Sequence, residues 1–365
     1  MAKSRATEPD DIQPRGAVGR TERLPTLAAS SRHDFMTMMR RFVNADMTQA
    51  ARLRGTQIVR AAGIAPDADL PVDQVRALFE KDPLIATRNA VWYGVHNYTY
   101  RILSEVFEDN AEVYLAELDA FDRRGPGTLE LNPSLALPDY VRHEIHQQPG
   151  GYVGNPFAGH LYHYHTNHFY GGRNDQDERH RGYAAAAPLP GDGRVKRILD
   201  LGCGIGQLAV ALKERFPEAE VWGIDVGAPM LRYGHMRAVD LGVDINLSQR
   251  LAEDTKFPDG HFDLIASYIL FHEVTAEAAG QIIAEAHRVL RPGGVFYPLD
   301  FNLKARPSPY RTYSQWIDHR WNNERWRIEY DGVDFSGLMA RAGFNVTDTS
   351  DASSTFGAIS GIRRA

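Results

Sequence analysis

A short run of residues carries the clearest chemistry in this chain: Ile198-Leu199-Asp200-Leu201-Gly202-Cys203-Gly204-Ile205-Gly206-Gln207. An apolar stretch ends, a glycine-rich turn follows, and a helix-compatible stretch begins. Glycines at such a turn let the backbone approach a ligand closely, and the amides of the opening helix face whatever is bound there. A pyrophosphate-binding loop spaces its glycines G-x-G-x-x-G. Here the spacing is G-x-G-x-G, and Asp200 stands at the mouth. A carboxylate there repels a pyrophosphate and suits the cationic amino group of a methionine moiety. Asp225 ends the next apolar stretch, Val221-Trp222-Gly223-Ile224-Asp225, where a carboxylate can accept both hydroxyls of an adenosine ribose. Together the two acids point to S-adenosylmethionine (SAM).

These residues need a scaffold. After Gly193 short strands alternate with helices: strands at Arg197–Leu201, Glu220–Asp225, Asp244–Ser248, Phe262–Ser267 and Val295–Phe301, and helices at Gly206–Arg215, Pro229–Leu241 and Ala276–Leu290. That alternation builds a parallel sheet covered on both faces. A helix at Asp334–Ala342 and strands near Phe344–Asp348 and Thr355–Arg363 complete an expected seven-stranded, Rossmann-like α/β fold.

The text LDLGCGIGQ, WGIDVGAPML, AEDTKFPDGHFDLIASYILFHEV and RVLRPGGVFYPLDF resembles the class I SAM-dependent methyltransferases, particularly the ubiquinone/menaquinone C-methyltransferase branch. The resemblance runs from about Arg197 to Gly361. It implies that Asp200, Gly202, Gly204 and Gly206 line the methionine end, that Asp225 holds the ribose, and that Ala252 and Glu253 frame the adenine. It adds Cys203, Gln207, Val226, Met230 and Ser267 to the cofactor-binding set. Leu251 stands where relatives carry an Asp, so contact with the adenine amino group passes to Glu253 or Asp254, or is lost.

Methyl transfer from a sulfonium needs alignment and sometimes a base. His272, in Ser267-Tyr268-Ile269-Leu270-Phe271-His272-Glu273-Val274, falls beyond the fourth strand of the cofactor domain. It is the candidate base, against a packing role, with Tyr268 beside it as a candidate pocket residue. Asp300 suits a substrate polar group or a turn. His160, His163, His165 and His168 invite a metal reading, but the spacing fits no standard zinc pattern and Tyr162, Tyr164, Phe169 and Tyr170 interleave them. The expectation is no metal, with His160, His163 and His165 in a substrate wall formed by Gly150–Tyr170, against plain packing as the alternative. Trp316, Trp321 and Trp326 either cap that pocket or pack on the N-terminal helices.

The 365 residues divide into an expected disordered tail (1–30), a helical N-terminal domain (31–125), a Gly/Pro/His/Tyr-rich connecting segment whose breakers exclude a long element (126–193), and the SAM-binding domain (194–365). The net charge of −6 disfavours nucleic acid as partner. Cys203 is the sole cysteine, excluding an intrachain disulfide. No apolar run is long enough to span a membrane and no secretory leader is evident, giving a cytoplasmic expectation. The expected activity is methylation of O, N or C of a small-molecule acceptor. The alternatives are SAM-binding chemistry of another kind, such as cyclisation or rearrangement, and a non-enzymatic SAM-binding protein. Homodimerisation through the helical domain is the remaining expectation.

Overall fold

The computed structural model describes residues 16–364. A small hairpin, β1 (Ala17–Val18) and β2 (Thr21–Glu22), leads into α1 (Leu27–Phe42), which a π-helical turn at Val43–Met47 joins to α2 (Thr48–Ala61). Next come α3 (Val72–Phe79), α4 (Pro83–Asp109) and α5 (Ala111–Phe121). Thr26 caps α1 by accepting from the Ala29 amide, and Asp82 caps α4 through the Leu84 and Ile85 amides.

Residues 17–30 are therefore not part of a disordered tail. Leu24 and Ala29 are buried, the Arg20 amide donates to the Asp175 carbonyl at 2.7 Å, and its guanidinium meets Asp177 at 3.1 Å. Partners some 150 residues away hold this stretch, and local composition carries no trace of them. Residues 1–15 of the expected tail lie outside the described residues.

The connecting segment is also more regular than its composition predicts. It contains β3 (Thr128–Glu130), α6 (Ala158–Phe169) and α7 (Glu178–Ala186). Its glycines and prolines crowd the stretches before Phe157 and after Tyr170, and between those residues Gly159 is the single breaker. Gly159 is needed there: a Cβ would lie 2.4 Å from Tyr233 Cβ, across the contact between α6 and the helix carrying Tyr233.

The remaining elements are β4 (Arg197–Leu201), α8 (Gln207–Arg215), β5 (Glu220–Asp225), α9 (Ala228–Asp240), β6 (Asn246–Gln249), β7 (Phe262–Tyr268), α10 (Ala276–Val289), β8 (Leu290–Leu299), α11 (Pro309–Trp321), α12 (Arg327–Asp331), α13 (Phe335–Arg341), β9 (Phe344–Asp348) and β10 (Ile359–Arg363). The sheet order is β3-β6-β5-β4-β7-β8-β10-β9, with β10 antiparallel to both its neighbours. Eight strands replace the expected seven because β3 pairs in parallel with β6, Leu129 opposite Leu247. Three residues are too few for an alternating pattern to register.

Strand residues alternate between two cores, as a doubly covered sheet requires. Leu199 and Ile265 pack with Ile282, Ile283 and Met339 of α10 and α13, whereas Ile198 and Leu264 pack with Leu208, Leu212 and Leu231 of α8 and α9. The N-terminal helices dock elsewhere. Ala51, Val75, Phe79 and Ile85 enclose Tyr313 and Ile317 of α11, and Leu103 and Phe107 of α4 pack on Leu161 and Tyr164 of α6. Among the described residues, no helix is long and apolar enough to cross a membrane.

Candidate active site

Strand order reverses at the β4–β7 pair, and ligands of open α/β sheets bind beyond the carboxyl ends of strands at such a point. The turn after β4 uses positive φ at Gly202 (63°), Gly204 (53°) and Gly206 (70°) to enter α8. Asp225, ending β5, clamps this turn. Its Oδ2 accepts from the Gly204 amide at 2.9 Å and its Oδ1 from the Gly227 amide at 2.8 Å. Each oxygen keeps a further lone pair for a ribose hydroxyl.

Asp200 is fully buried, and neither carboxylate oxygen reaches a partner at hydrogen-bonding geometry. Burial holds its carboxyl well above the usual range; the Ala209 amide pulls the other way and Asp225 adds to the rise. A buried carboxylate in that condition is costly unless a cation completes it, and Asp200 lies against the cavity. The ammonium of a methionine moiety fits this requirement. At the opposite end, Ala252 and Glu253 form a tight turn inside the Leu251–Asp254 bridge. Tyr140 Oη donates to Glu253 Oε1, while Glu253 Oε2 is buried without a partner and suits an adenine amino group. The residues present thus fit SAM at both ends.

Asp200, Gly202, Cys203, Gly204, Gln207, Asp225, Val226, Met230, Ala252 and Glu253 all line one cavity of about 670 Å³. Two expected residues do not. Gly206 shapes the start of α8 against Ile245 and Leu247, and Ser267 is buried within β7. The Gln207 side chain is turned aside by a 2.6 Å hydrogen bond to Asp177. Burial pushes the Cys203 thiol well up, so it is not a reactive thiolate.

The cavity continues beneath α6. Tyr162, His165, Thr166 and Phe169 line it at i, i+3, i+4 and i+7, and Tyr170 Oη lies 3.4 Å from Tyr268 Oη on the far side. His165 and Tyr268 are among the residues that line this cavity. His160 and His163 are not, because the helix turns them to its other face. His160 packs among Phe107, Tyr114 and Tyr233, and His163 bonds Tyr233 Oη at 2.7 Å and Thr21 Oγ1 at 3.2 Å. His168 lies between Arg40 and Thr99. Trp316 and Trp321 pack with the N-terminal helices, while Trp326 Nε1 donates to the Tyr140 carbonyl of the connecting segment.

The polar end of the cavity is a cluster that sequence spacing does not announce. Asp300, after β8, accepts the Phe271 and His272 amides on Oδ2 at 2.7 and 3.2 Å, and His272 Nδ1 on Oδ1 at 2.8 Å. His272 Nε2 then stands 3.9 Å from both Glu273 Oε1 and Glu324 Oε2. His146 lies between the same two acids, with Nε2 3.0 Å from Glu273 Oε1 and Nδ1 2.9 Å from Glu324 Oε1. Burial alone would lower the His272 pKa, but Asp300, Glu324 and Glu273 carry it to about 9. That shift favours the protonated ring, whereas a general base must be neutral. Burial works to raise Glu324, yet His146 holds it down at about 2; burial and then Glu324 lift Asp318 to about 6. His146, Glu273 and Glu324 were not among the expected site residues. The one signal available was charge (Asn322-Asn323-Glu324-Arg325) set inside an aromatic-rich insertion.

A family model described as a methyltransferase domain matches residues 198–294. A demethylmenaquinone methyltransferase of Thermus thermophilus is 40% identical over 123 residues, covering 33% of this chain and 55% of that protein. A ubiquinone/menaquinone biosynthesis C-methyltransferase of Cupriavidus necator is 32% identical over 173 residues, covering 41% of this chain and 70% of that protein. The chain thus spans about half of the first relative and over two thirds of the second. Among solved structures, a TehB-like SAM-dependent methyltransferase of Corynebacterium glutamicum aligns with a TM-score of 0.41 at 17% identity, over 57% of this chain and 100% of that one. With the clamped glycine turn, the orphaned Asp200 and the reversal at β4–β7, the chain belongs to the class I SAM-dependent methyltransferases, and its cofactor is SAM.

Proposed function

We propose that this enzyme methylates O, N or C of a compact metabolite, and specifically an oxygen or ring carbon of a hydroxylated aromatic acceptor. The observation that carries this reading is the continuity of one cavity, with Asp200, Gly204 and Asp225 at one end and Tyr162, Phe169 and Tyr268 at the other. Flat side chains favour a planar ring by stacking and edge contacts. The relatives that act in quinone biosynthesis point to the same acceptor chemistry. Bound SAM supplies an electrophilic methyl group. The chain's own residues hold the nucleoside through Asp225 and Glu253, hold the ammonium through Asp200, and orient the acceptor against the aromatic wall. Alignment of this kind accounts for much of the barrier reduction in an in-line displacement. The His146–Glu273–His272 end receives the acceptor's polar groups. A homodimer through α1 and α2, where Leu27, Phe35, Met38 and Leu53 are exposed, belongs to the same reading and is checked by sedimentation.

The test is incubation with methyl-labelled SAM and fractionated metabolite extract, alongside a panel of phenols, catechols and reduced quinones, with mass spectrometry of the products. A labelled hydroxyarene or quinol is expected. Acceptor turnover without label transfer would assign a cyclisation or rearrangement instead. Transfer confined to non-aromatic amines would overturn the acceptor class.

A further inference from the structure

We propose that His146, His272 and Glu273 hold a divalent first-row transition-metal ion at the acceptor end of the cavity, with Asp300 and Glu324 orienting the two imidazoles. The inference rests on the functional reading above for what the ion would bind, but the site itself stands on its own geometry.

One nitrogen of each imidazole and one carboxylate oxygen lie within 4.8 Å of one another. His146 Nε2 is 3.0 Å and His272 Nε2 is 3.9 Å from Glu273 Oε1. Atoms bonded to a common ion at about 2.0–2.2 Å stand roughly 3–3.5 Å apart, so a small inward shift of one ring completes the set. Both rings turn Nε2 toward Glu273, and each Nδ1 rests on its own buried carboxylate: His272 on Asp300 at 2.8 Å, His146 on Glu324 at 2.9 Å. Metal-binding histidines show this arrangement, in which a carboxylate on the second nitrogen sets tautomer and ring direction.

Glu324 Oε2 gives an independent sign. It is buried, has no hydrogen-bond partner, and faces His272 Nε2 at 3.9 Å. An unpartnered carboxylate oxygen is expensive to bury, and a nearby dication offsets it. Charge points the same way: Asp300, Asp318, Glu273 and Glu324 converge on two imidazoles and the Arg327 guanidinium. The backbone is also held out of its ordinary range at this point. His146 has φ 52° and Gln147 φ 58°, and His96 Nε2 lies 2.6 Å from the His146 carbonyl, fixing the turn that aims the ring. Non-glycine residues persist in that region when the surroundings over-determine them, often at functional sites.

Two imidazoles and one carboxylate suit zinc, iron(II), manganese(II) or cobalt(II) better than calcium or magnesium, which take oxygen ligands. The three ligands leave positions open to the cavity, where an acceptor hydroxyl or carbonyl oxygen would complete the ion. The His160–His168 run plays no part. The ligands come instead from the connecting segment and the short helical turn Phe271–Glu273 that follows β7, braced by Glu324 just beyond α11.

The competing account is a metal-free ion-pair cluster in which His146 bridges Glu273 and Glu324 as a cation. The deciding experiment strips the full-length protein with chelator, then titrates it with Zn²⁺ by calorimetry and with Co²⁺ by visible absorption. Saturable uptake of about one ion per chain is expected, with d–d bands typical of low-coordinate Co²⁺. His272→Ala and Glu273→Gln should abolish it. Glu324→Gln, nearly isosteric, should weaken it by about 10–100-fold. Absence of saturable uptake by wild type, or equal uptake by the ligand variants, would overturn the site. SAM affinity measured on the same stripped samples separates the two claims. Unchanged SAM binding without ion uptake leaves the methyltransferase reading intact, and ion uptake without SAM binding leaves the ion site intact.

Discussion

Mild acid should strongly destabilise this protein through its buried imidazoles. His163, His165, His168 and His180 are each at most 4% exposed. Burial is the main cause that lowers all four. His163 falls to about 3, with Arg237 and His180 adding to the effect against Asp177. His180 falls to about 4, with Arg237 and Arg179 lowering it against Asp177. His165 lies well below its ordinary value beside His96, His168, Arg40 and His146, and His168 does so beside Arg40, His33 and His96. The geometry agrees for His168: Arg40 Nε donates to its Nε2 at 3.2 Å, which requires an unprotonated nitrogen.

Unfolded imidazoles take up protons below about pH 6.5, while these folded ones do not, so stability must fall as the pH drops below that value. Each proton costs about 1.4 kcal/mol per pH unit, hence about 2 kcal/mol per imidazole between pH 6.5 and 5 and about 4 kcal/mol for His163 and His180 together, with His165 and His168 adding in the same direction. That is a large share of the stability of a typical domain, about 5–15 kcal/mol. His272, whose folded pKa is raised, works the other way: it adds stability as the pH falls toward 6.5 and contributes little further slope below about pH 5.5. Urea unfolding followed by tryptophan fluorescence between pH 7.5 and 5 measures the effect. His165→Phe keeps the stack on Tyr100, now at 3.8 Å between centroids, and removes one titrating group. It should lessen the acid slope by about one proton. A stability that changes by less than about 1 kcal/mol between pH 7 and 5.5 would refute the reasoning.

Asp225→Asn should weaken SAM binding at least tenfold by calorimetry, because an amide cannot accept from both the Gly204 and Gly227 amides and one buried donor loses its partner; unchanged affinity in a folded variant would remove Asp225 from the site. Asp177→Asn should cost about 3–5 kcal/mol in urea denaturation, since it leaves the buried Arg237 guanidinium without its counter-charge. Burial works to raise Asp177, but Arg237, Gln207, His163 and His180 together hold it below the ordinary carboxylate range, so its contribution is present above about pH 4 and lost as the pH falls through the lowered value. His163→Ala should destabilise by about 1–3 kcal/mol through Tyr233 and Thr21 while leaving SAM affinity near wild type; a tenfold loss of affinity would return this ring to the cavity. Gly159→Ala should cost about 1–3 kcal/mol by forcing α6 away from α9, visible as a lowered melting temperature.

What could be read from the sequence was local. The strand, turn and helix around Gly202–Gln207 are contiguous, and Asp225 follows one crossover later, so their chemistry is written in order. Helical phase was not legible in the same way. His160, His163 and His165 each carry an imidazole, but only the last faces the cavity, because α6 presents Tyr162, His165, Thr166 and Phe169 on one side. The His146–Glu273 contact spans 127 residues, and no spacing rule reaches that far. The three tryptophans resisted a single reading because α11 serves two purposes. Trp316 and Trp321 hold the N-terminal helices, while Asp318, Asn322 and Glu324, on and just after the same helix, reach the cavity.

The pairing of β3 with β6 bears on where this chain can be divided. Domain logic places a cut near residue 193, ahead of the strand that begins the cofactor fold. Yet Thr128–Glu130 lies beyond β6 as the outermost strand, where the β6 edge would otherwise stand bare. A fragment starting at residue 194 would present β6 to solvent with Asn246–Gln249 unpaired on one side, a template for self-association. It would also lose His146 and the entire α6 wall. Recombining this catalytic domain with foreign N-terminal regions therefore requires carrying the preceding seventy residues along, and the practical boundary for grafting lies ahead of β3.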